Sequence, residues 1–332
     1  MLFEFDTEQR LLRDIVRDVA AKHCPPALVR EIVDKDADPT ALWQTYVGLG
    51  WTELTGPGAA IELGIVCEEL GRATDPTPFL ATMTQFAPLV PDTDRVERPG
   101  AAVYGGVTAA RDGVGWRLHG TAHQVLDGDR AEQFAVVTDA GVFVVAAEAV
   151  TARRTAVFDP VLHLAEVTFD AVRVTPADRV GARVVHAEQC ALTGMALTTV
   201  GACRRILDLV LDHVRGRAQF GVPIGSFQAV QHKAADMHVA IERAHALGFF
   251  AALCRSVDDP RQRLAASMAK AAAGECQSTV FAHGVQLFGA MGFTWENDLQ
   301  FALKRAKAGE LLLGGAAEHR VHVTEEYRAT QL

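Results

Sequence analysis

From about Val184 onward the chain returns to helical spacing and keeps it, and this constrains the fold more than any other feature of the sequence. Apolar residues recur at three- and four-residue intervals through Thr193–Arg215, Gln228–Cys254 and Gln262–Phe288, and a fourth segment follows from Glu296 to about Leu313. Four long helices joined by short turns predict an antiparallel bundle. In the first, Gly194, Ala196, Gly201 and Ala202 offer a small-residue face for close helix contact. One interruption stands out: RGRAQFGVPIGSFQAVQHKAADM, residues 215–237. Two arginines, an exposed-looking Phe220, three glycines and a proline precede a glutamine-rich helix start. Such a break is either a plain turn or a device that presents side chains to a ligand.

The remainder divides at two changes of character, giving three expected regions: a helical one over residues 1–95, a small antiparallel β domain over 96–182, and the bundle over 183–332. In the first, Asp6 and Gln9 form a capping-box pair ahead of Leu11, Leu12, Ile15, Val16 and Val19. Pro25–Pro26 ends that helix. Shorter helices are expected at Thr40–Leu49, Ala59–Arg72 and near Phe79–Ala87. In the second, short apolar runs between turn signals predict strands at Ala101–Val107, Trp116–His119, Phe134–Thr138 and Val142–Ala147. HLAEVTFDAVRV, from His163 to Val174, alternates as a further strand. Helix, strand and helix in three blocks make an α+β chain.

Composition narrows the function. A 332-residue chain that is 49% hydrophobic can bury a sizeable core. A net charge of −9 argues against a nucleic-acid surface, which needs clustered Lys and Arg. No run approaches a membrane span, and the N-terminus lacks the apolar segment of a signal peptide. Six cysteines without metal-ligand spacing fit a reducing cytoplasm. The single HxxxH, His119–His123, falls on a predicted strand and turn and lacks the HExxH glutamate, so no metal is expected.

Residues 215–237 closely resemble the signature of the acyl-CoA dehydrogenase family. The likeness extends to DTEQRLLRDIVRDVA, to CEELGRA (67–73), to GWRLHGTAHQVLDGDRAEQFAVV (115–137), to EVTFDAVRVTPADRVG (166–181) and to GVQLFGAMGFTWENDLQFALKRAKAGELLLG (284–314), in the family's order. The resemblance implies an N-terminal helical domain, a middle β domain and a C-terminal four-helix bundle. It also implies FAD, bound across a subunit interface without a Rossmann fold. By position, Arg217 would neutralise pyrophosphate, Phe220 would pack on the adenine or ribose, and Gln228 would complete the cradle. Gln286 and Gly289 match the family's other dinucleotide contact.

The same resemblance exposes what the chain lacks. The family's base is a glutamate in a turn after the last long helix, where ungapped matching puts Leu313 before Gly314. Other members carry it near the start of the first bundle helix, where the count back from Arg217 gives Ala191. Neither can take a proton; Glu310 and Glu188 are each about one helical turn, ~5.4 Å, away. In the middle region the stretch from Pro88 to Arg111 is short. Leu126 stands where a flavin-contacting hydroxyl would be. The resemblance therefore points to the base-less subunit of a heterotetrameric (α2β2) actinobacterial acyl-CoA dehydrogenase, which lends adenine-side contacts to an FAD held by a homologous subunit that carries the glutamate. The substrate would be an acyl-CoA, in some relatives steroid-derived, and electron-transfer flavoprotein the acceptor. Two alternatives remain: a self-sufficient homo-oligomer using Glu310 or Glu188, and a non-catalytic scaffold.

Overall fold

The computed structural model describes residues 4–90 and 96–329, so the expected boundary at residue 95 lies outside the described residues. In chain order the helices are α1 (Thr7–His23), α2 (Pro26–Lys35), α3 (Thr40–Gly48), α4 (Ala60–Ala73), the single turn α5 (Phe79–Ala81), α6 (Val184–Gly216), α7 (Gln228–Ser256), α8 (Gln262–Phe288), α9 (Leu299–Leu311) and α10 (Ala316–Ala329). The strands are β1 (Gly100–Val103), β2 (Val107–Asp112), β3 (Gly115–Leu126), β4 (Gln133–Thr138), β5 (Gly141–Ala146), β6 (Thr151–Thr155), β7 (Leu164–Val174), β8 (Arg179–Val180), β9 (Ala218–Gln219) and β10 (Val222–Pro223). The order is the one expected, helices, then sheets, then helices.

The chain forms two compact units. The helical unit comprises Met1–Lys35, Ala60–Asp75 and Leu192–Leu332. Its core draws Val200, Cys203 and Ile206 from α6, Met237 and Ile241 from α7, Ala269 and Cys276 from α8, and Leu299 and Leu303 from α9. Asp6 caps α1, with both halves of the capping box formed to Gln9. Pro26 both ends the first helix and opens α2, where its missing N–H costs nothing. Gly201 on α6 lies against the Glu68 backbone of α4, and Gly71 of α4 lies against the Thr198 backbone. The small-residue face therefore does admit a close helix. Beside that crossing, Arg204 donates to Glu68 at 2.6 Å and to Glu242 at 2.7 Å, while the His245 ring meets Glu68 at 2.9 Å.

The second unit comprises Asp36–Ala59 and Pro76–Ala191. One sheet runs β1-β4-β5-β8 and the other β2-β3-β7-β6. Phe134, Val136 and Phe143 of the first share a core with Leu118, Val167 and Phe169 of the second. The expected strand Ala101–Val107 is in fact two strands in different sheets. Gly106, at φ +80° and packed on the Thr121 carbonyl, breaks the run. Nor is the region wholly antiparallel, because β1 pairs with β4 in parallel. Strand β6 and helix α10 escape apolar periodicity, since β6 is exposed throughout and α10 mostly so. The expected helix near Phe79–Ala87 is a single α turn followed by a π turn over Thr82–Phe86 and a 3-10 turn over Ala87–Leu89.

Candidate cofactor site

The interruption of the long helices is a miniature hairpin. Helix α6 ends at Gly216, and the Arg217 N–H still donates to the His213 carbonyl at 2.9 Å. Strands β9 and β10 pair Ala218 with Pro223 and Gln219 with Val222. The two residues between them, Phe220 and Gly221, have φ of +55° and +81°. A two-residue turn with both central residues left-handed suits the twist of a hairpin. Ile224 N–H closes the loop onto the Arg217 carbonyl at 2.8 Å. Gln231 then donates to the Gly225 carbonyl at 3.1 Å, fixing the loop to the first turn of α7.

What this hairpin presents is unusual. Phe220 is 92% exposed and touches Phe227 only edge-on, with centroids 6.2 Å apart. A left-handed backbone costs a non-glycine residue about 1–2 kcal/mol. An apolar ring held out into solvent at that cost gains nothing for the isolated chain. Arg217 is exposed beside it, and its guanidinium has no acceptor among the described residues. Gln228, also exposed, is the first residue of α7.

The second expected cluster lies at the end of α8. The His213 ring of α6 stacks on Phe288 with centroids 4.4 Å apart and planes 14° apart, so the α8 terminus meets the foot of the hairpin. Burial, and then the Arg217 charge, pull the His213 pKa down. Gln286 is exposed in the last turn of the helix. Gly289 caps the helix at φ +63° with nothing within 4 Å of a would-be Cβ, so its backbone stands open. A cation, an unstacked ring, two amides and an open backbone at one end of the helical unit suit the phosphate and base of a dinucleotide.

The positions where a base would stand are built differently. Leu313 and Gly314, at φ +60° and +88°, form a left-handed turn after α9. Lys270 of α8, 1% exposed, donates to the carbonyls of Gly314 and Glu310 at 2.6 and 3.0 Å. The His319 Nε2 meets the Leu313 carbonyl at 2.7 Å. Burial lowers the Lys270 ammonium to about 8, against the pull of Glu310 and Glu318. Burial likewise lowers His319, partly opposed by the Leu313 carbonyl. Glu310 is ion-paired with Lys307 at 2.9 Å. Ala191 is buried within α6, and Glu188 is exposed on it. The sequence reading did not single out Lys270 or His319. The one available signal was a lone lysine among the buried alanines of α8.

In the second unit, Leu126 is buried and pairs with Leu164. Beyond it, Asp127 donates its N–H to the His163 carbonyl at 2.8 Å and its carboxylate pairs with Arg130. The His163 ring meets Asp129 at 2.7 Å. Burial alone would raise Asp129, but His163 outweighs it and holds the carboxyl low. This strand end is tied together by its own ion pairs, although Asp129 Oδ1 and Arg130 Nε are buried without a partner, and Leu126 offers no hydrogen bond to a ring. His119 and His123 both lie exposed on β3, and His123 pairs with Glu166 at 3.2 Å. All six cysteines are buried and free. Among the described residues, no helix is long and apolar enough to cross a membrane, and no group of three His, Cys, Asp or Glu is placed to hold a metal.

Residues 6–90 match the family model for the acyl-CoA dehydrogenase N-terminal domain, and residues 193–327 match that for the C-terminal domain. The chain is 31% identical over 325 residues to acyl-CoA dehydrogenase IpdE2 of Mycobacterium tuberculosis, with 94% of each chain covered. Against IpdE2 of Mycolicibacterium smegmatis identity is 32% over 323 residues, covering 94% of this chain and 96% of the relative. The ChsE4–ChsE5 complex of Mycobacterium tuberculosis contains a similar chain, with a TM-score of 0.89 at 25% identity and 99% of both chains covered. A variant of the steroid ACAD Tcur3481–Tcur3483 gives 0.83 at 25% identity, with 98% of both chains covered.

Proposed function

The chain belongs to the acyl-CoA dehydrogenase family, and from that premise we propose that it is the base-less subunit of a heteromeric, FAD-dependent enzyme working in the cytoplasm. One observation carries this reading. The hairpin keeps a solvent-exposed Phe220 and an unpaired Arg217, while Leu313 and Ala191 occupy the places of the base. The adenine end of a cofactor site is thus equipped, and the proton-abstracting end is not.

The residues present fit that division. Arg217 offers forked donors to a pyrophosphate, Phe220 a free face to an adenine, Gln228 and Gln286 their amides, and Gly289 an open backbone. Bound FAD would supply the hydride acceptor for α,β-dehydrogenation of an acyl-CoA. The α-proton is then assigned to a carboxylate of the homologous partner subunit, because Leu313 and Ala191 have no basic atom, Glu310 is ion-paired with Lys307, and Glu188 stands about one helical turn from Ala191 on an exposed face of α6. A steroid-derived acyl-CoA is the proposed substrate class, supported by the similarity to a steroid ACAD. Electron-transfer flavoprotein is the proposed electron acceptor.

The test is purification of the chain alone and after co-expression with a glutamate-bearing homologue. The chain alone should be colourless and inactive. The complex should show flavin absorbance and turnover, and Arg217→Ala within it should weaken FAD binding at least ~10-fold, the scale of a lost charge-assisted hydrogen bond. A yellow, active homomer overturns the proposal.

A further inference from the structure

Away from the hairpin and the Leu313 turn, the helical unit carries a partly open cavity of about 220 Å³. The C-terminal ends of α1 and α4, the start of α2, the middle of α6 and the start of α9 line it. Much of its wall is apolar, including Cys24, Val29, Phe301 and Ala302. Three arginines, Arg17, Arg72 and Arg205, also line it.

Two of these three are spoken for. Arg17 grips Glu69 with Nε and Nη2 at 3.0 and 2.6 Å. Arg72 gives Nε and Nη2 to Asp208 at 3.0 and 2.7 Å. Asp298, the other carboxylate on the wall, is taken by Arg30 at 2.5 Å. Arg205 is half-buried, and among the described residues its guanidinium has no acceptor. The cavity therefore holds one uncompensated positive charge against an apolar wall, and a half-buried cation without an acceptor favours an anion that brings one. The wall also carries backbone strain. Thr74 is buried at φ +58°, a conformation that β-branched residues rarely adopt, and its N–H is held by the Gly71 carbonyl at 3.1 Å. This conformation is the left-handed cap of α4, whose following Asp75 N–H reaches the Leu70 carbonyl at 3.0 Å.

We propose that this cavity binds a small monocarboxylate with a flat apolar body, the carboxylate on Arg205 and the body between α1 and α9. Size and charge choose this class. An apolar cavity of about 150 Å³ takes a benzene ring, so the larger volume accommodates a ring and its carboxylate. A dianionic phosphate is disfavoured, because Glu69 and Asp298 on the same wall would repel the second charge. The site is independent of the cofactor reading, since Arg217, Phe220 and the Leu313 turn contribute nothing to it.

The experiment is calorimetric titration of the full-length chain with benzoate, and with benzamide as the neutral isostere. Benzoate should bind saturably, with benzamide and the variant Arg205→Gln each at least ~10-fold weaker, as expected for loss of a charge-assisted pair. Ala21→Leu, at an exposed position on the cavity rim, should also weaken benzoate while leaving the thermal midpoint unchanged, and it decides the matter should Arg205→Gln not fold. Arg217→Ala should leave benzoate binding as it was. Absence of saturable benzoate binding, equal binding of benzamide, indifference to Ala21→Leu, or loss of benzoate binding in Arg217→Ala would each overturn the proposal.

Discussion

The Nζ of Lys270 lies 2.6 Å from the carbonyl oxygen of Gly314, spanning 44 residues of sequence and fixing the turn that carries Leu313. A buried ammonium therefore stands behind the place where the family's base would be, and it titrates unusually. Its folded pKa of about 8 is below the ordinary lysine value of 10.5. Below pH 8 both folded and unfolded chains hold the proton, and the full cost of burying the charge is present. As pH rises from 8 to 10.5 the unfolded chain binds more protons than the folded one, so unfolding free energy rises. Lys270→Met abolishes this rise, so wild-type stability should gain ~3 kcal/mol on that of the variant across that window. Urea unfolding of both proteins below, within and above the window measures it. Parallel profiles would show that the folded chain keeps this proton.

The carboxylate nearest in sequence to Leu313 gives a sharp contrast between a committed and a catalytic glutamate. Glu310 is held by Lys307 at 2.9 Å, with its own carbonyl on Lys270. Glu310→Gln should therefore leave the turnover of an assembled complex unchanged and lower only stability, by ~1 kcal/mol. Loss of turnover with FAD still bound would instead make Glu310 the base and the chain self-sufficient.

A second buried charge cluster predicts the behaviour in acid. Burial alone would push the Glu68 carboxyl up, but the His245 ring and the Arg204 guanidinium outweigh it and hold it below the ordinary range. A depressed carboxylate stabilises the fold above its unfolded pKa and loses that contribution as pH falls through the folded value. Glu68→Gln should cost ~3 kcal/mol near neutrality, the low end for a broken buried pair because Glu242 still answers Arg204. The cost should shrink as the pH drops below 4.5 and into the folded titration. Chemical denaturation of both proteins at neutral and acid pH checks the convergence.

Much of this was legible in the sequence wherever a local rule set it. The capping box at Asp6, the helix break at residue 217 and the apolar residues at the base positions depend on nearby residues or on a count from a fixed motif. Long-range backbone chemistry was not legible. Lys270 reads as one lysine among alanines, because its acceptors are carbonyl oxygens, which no side chain announces. The uncompensated Arg205 was hidden for the related reason that Arg17, Arg72 and Arg205 look alike until their partners are placed. The all-exposed β6 carries no apolar alternation to detect, and the Ala101–Val107 run looked continuous because only the φ of Gly106 divides it.

The crossing of α4 over α6 predicts the severest single-methyl substitution in the helical unit. A Cβ on Gly201 would fall on the Glu68 carbonyl oxygen, backbone that cannot turn aside as a side chain could. Gly201→Ala should cost at least ~3 kcal/mol, the upper range of overpacking, or prevent folding. Gly56→Ala, with open space around its Cα, should fall within ~0.5 kcal/mol of the parent. Thermal unfolding of the two variants side by side tests this. Similar midpoints would mean that the two helices can separate at little cost.

Phe220 ties stability to function with opposite signs. Its left-handed φ of +55° is a conformation that glycine adopts freely, and its ring contributes almost no burial to the isolated chain. Phe220→Gly should therefore leave the thermal stability of the chain alone unchanged or raise it by as much as ~1 kcal/mol, the relief of the strained backbone offset by the freer unfolded chain. If the ring packs on an adenine, the same substitution should weaken FAD binding in the assembled complex by ~1–2 kcal/mol, read as faster flavin loss on dilution. Phe220→Leu keeps the apolar volume but not the flat face, so it should retain the strain and still lose the affinity. An unchanged flavin content in both variants would remove Phe220 from the cofactor site and leave the hairpin as a turn.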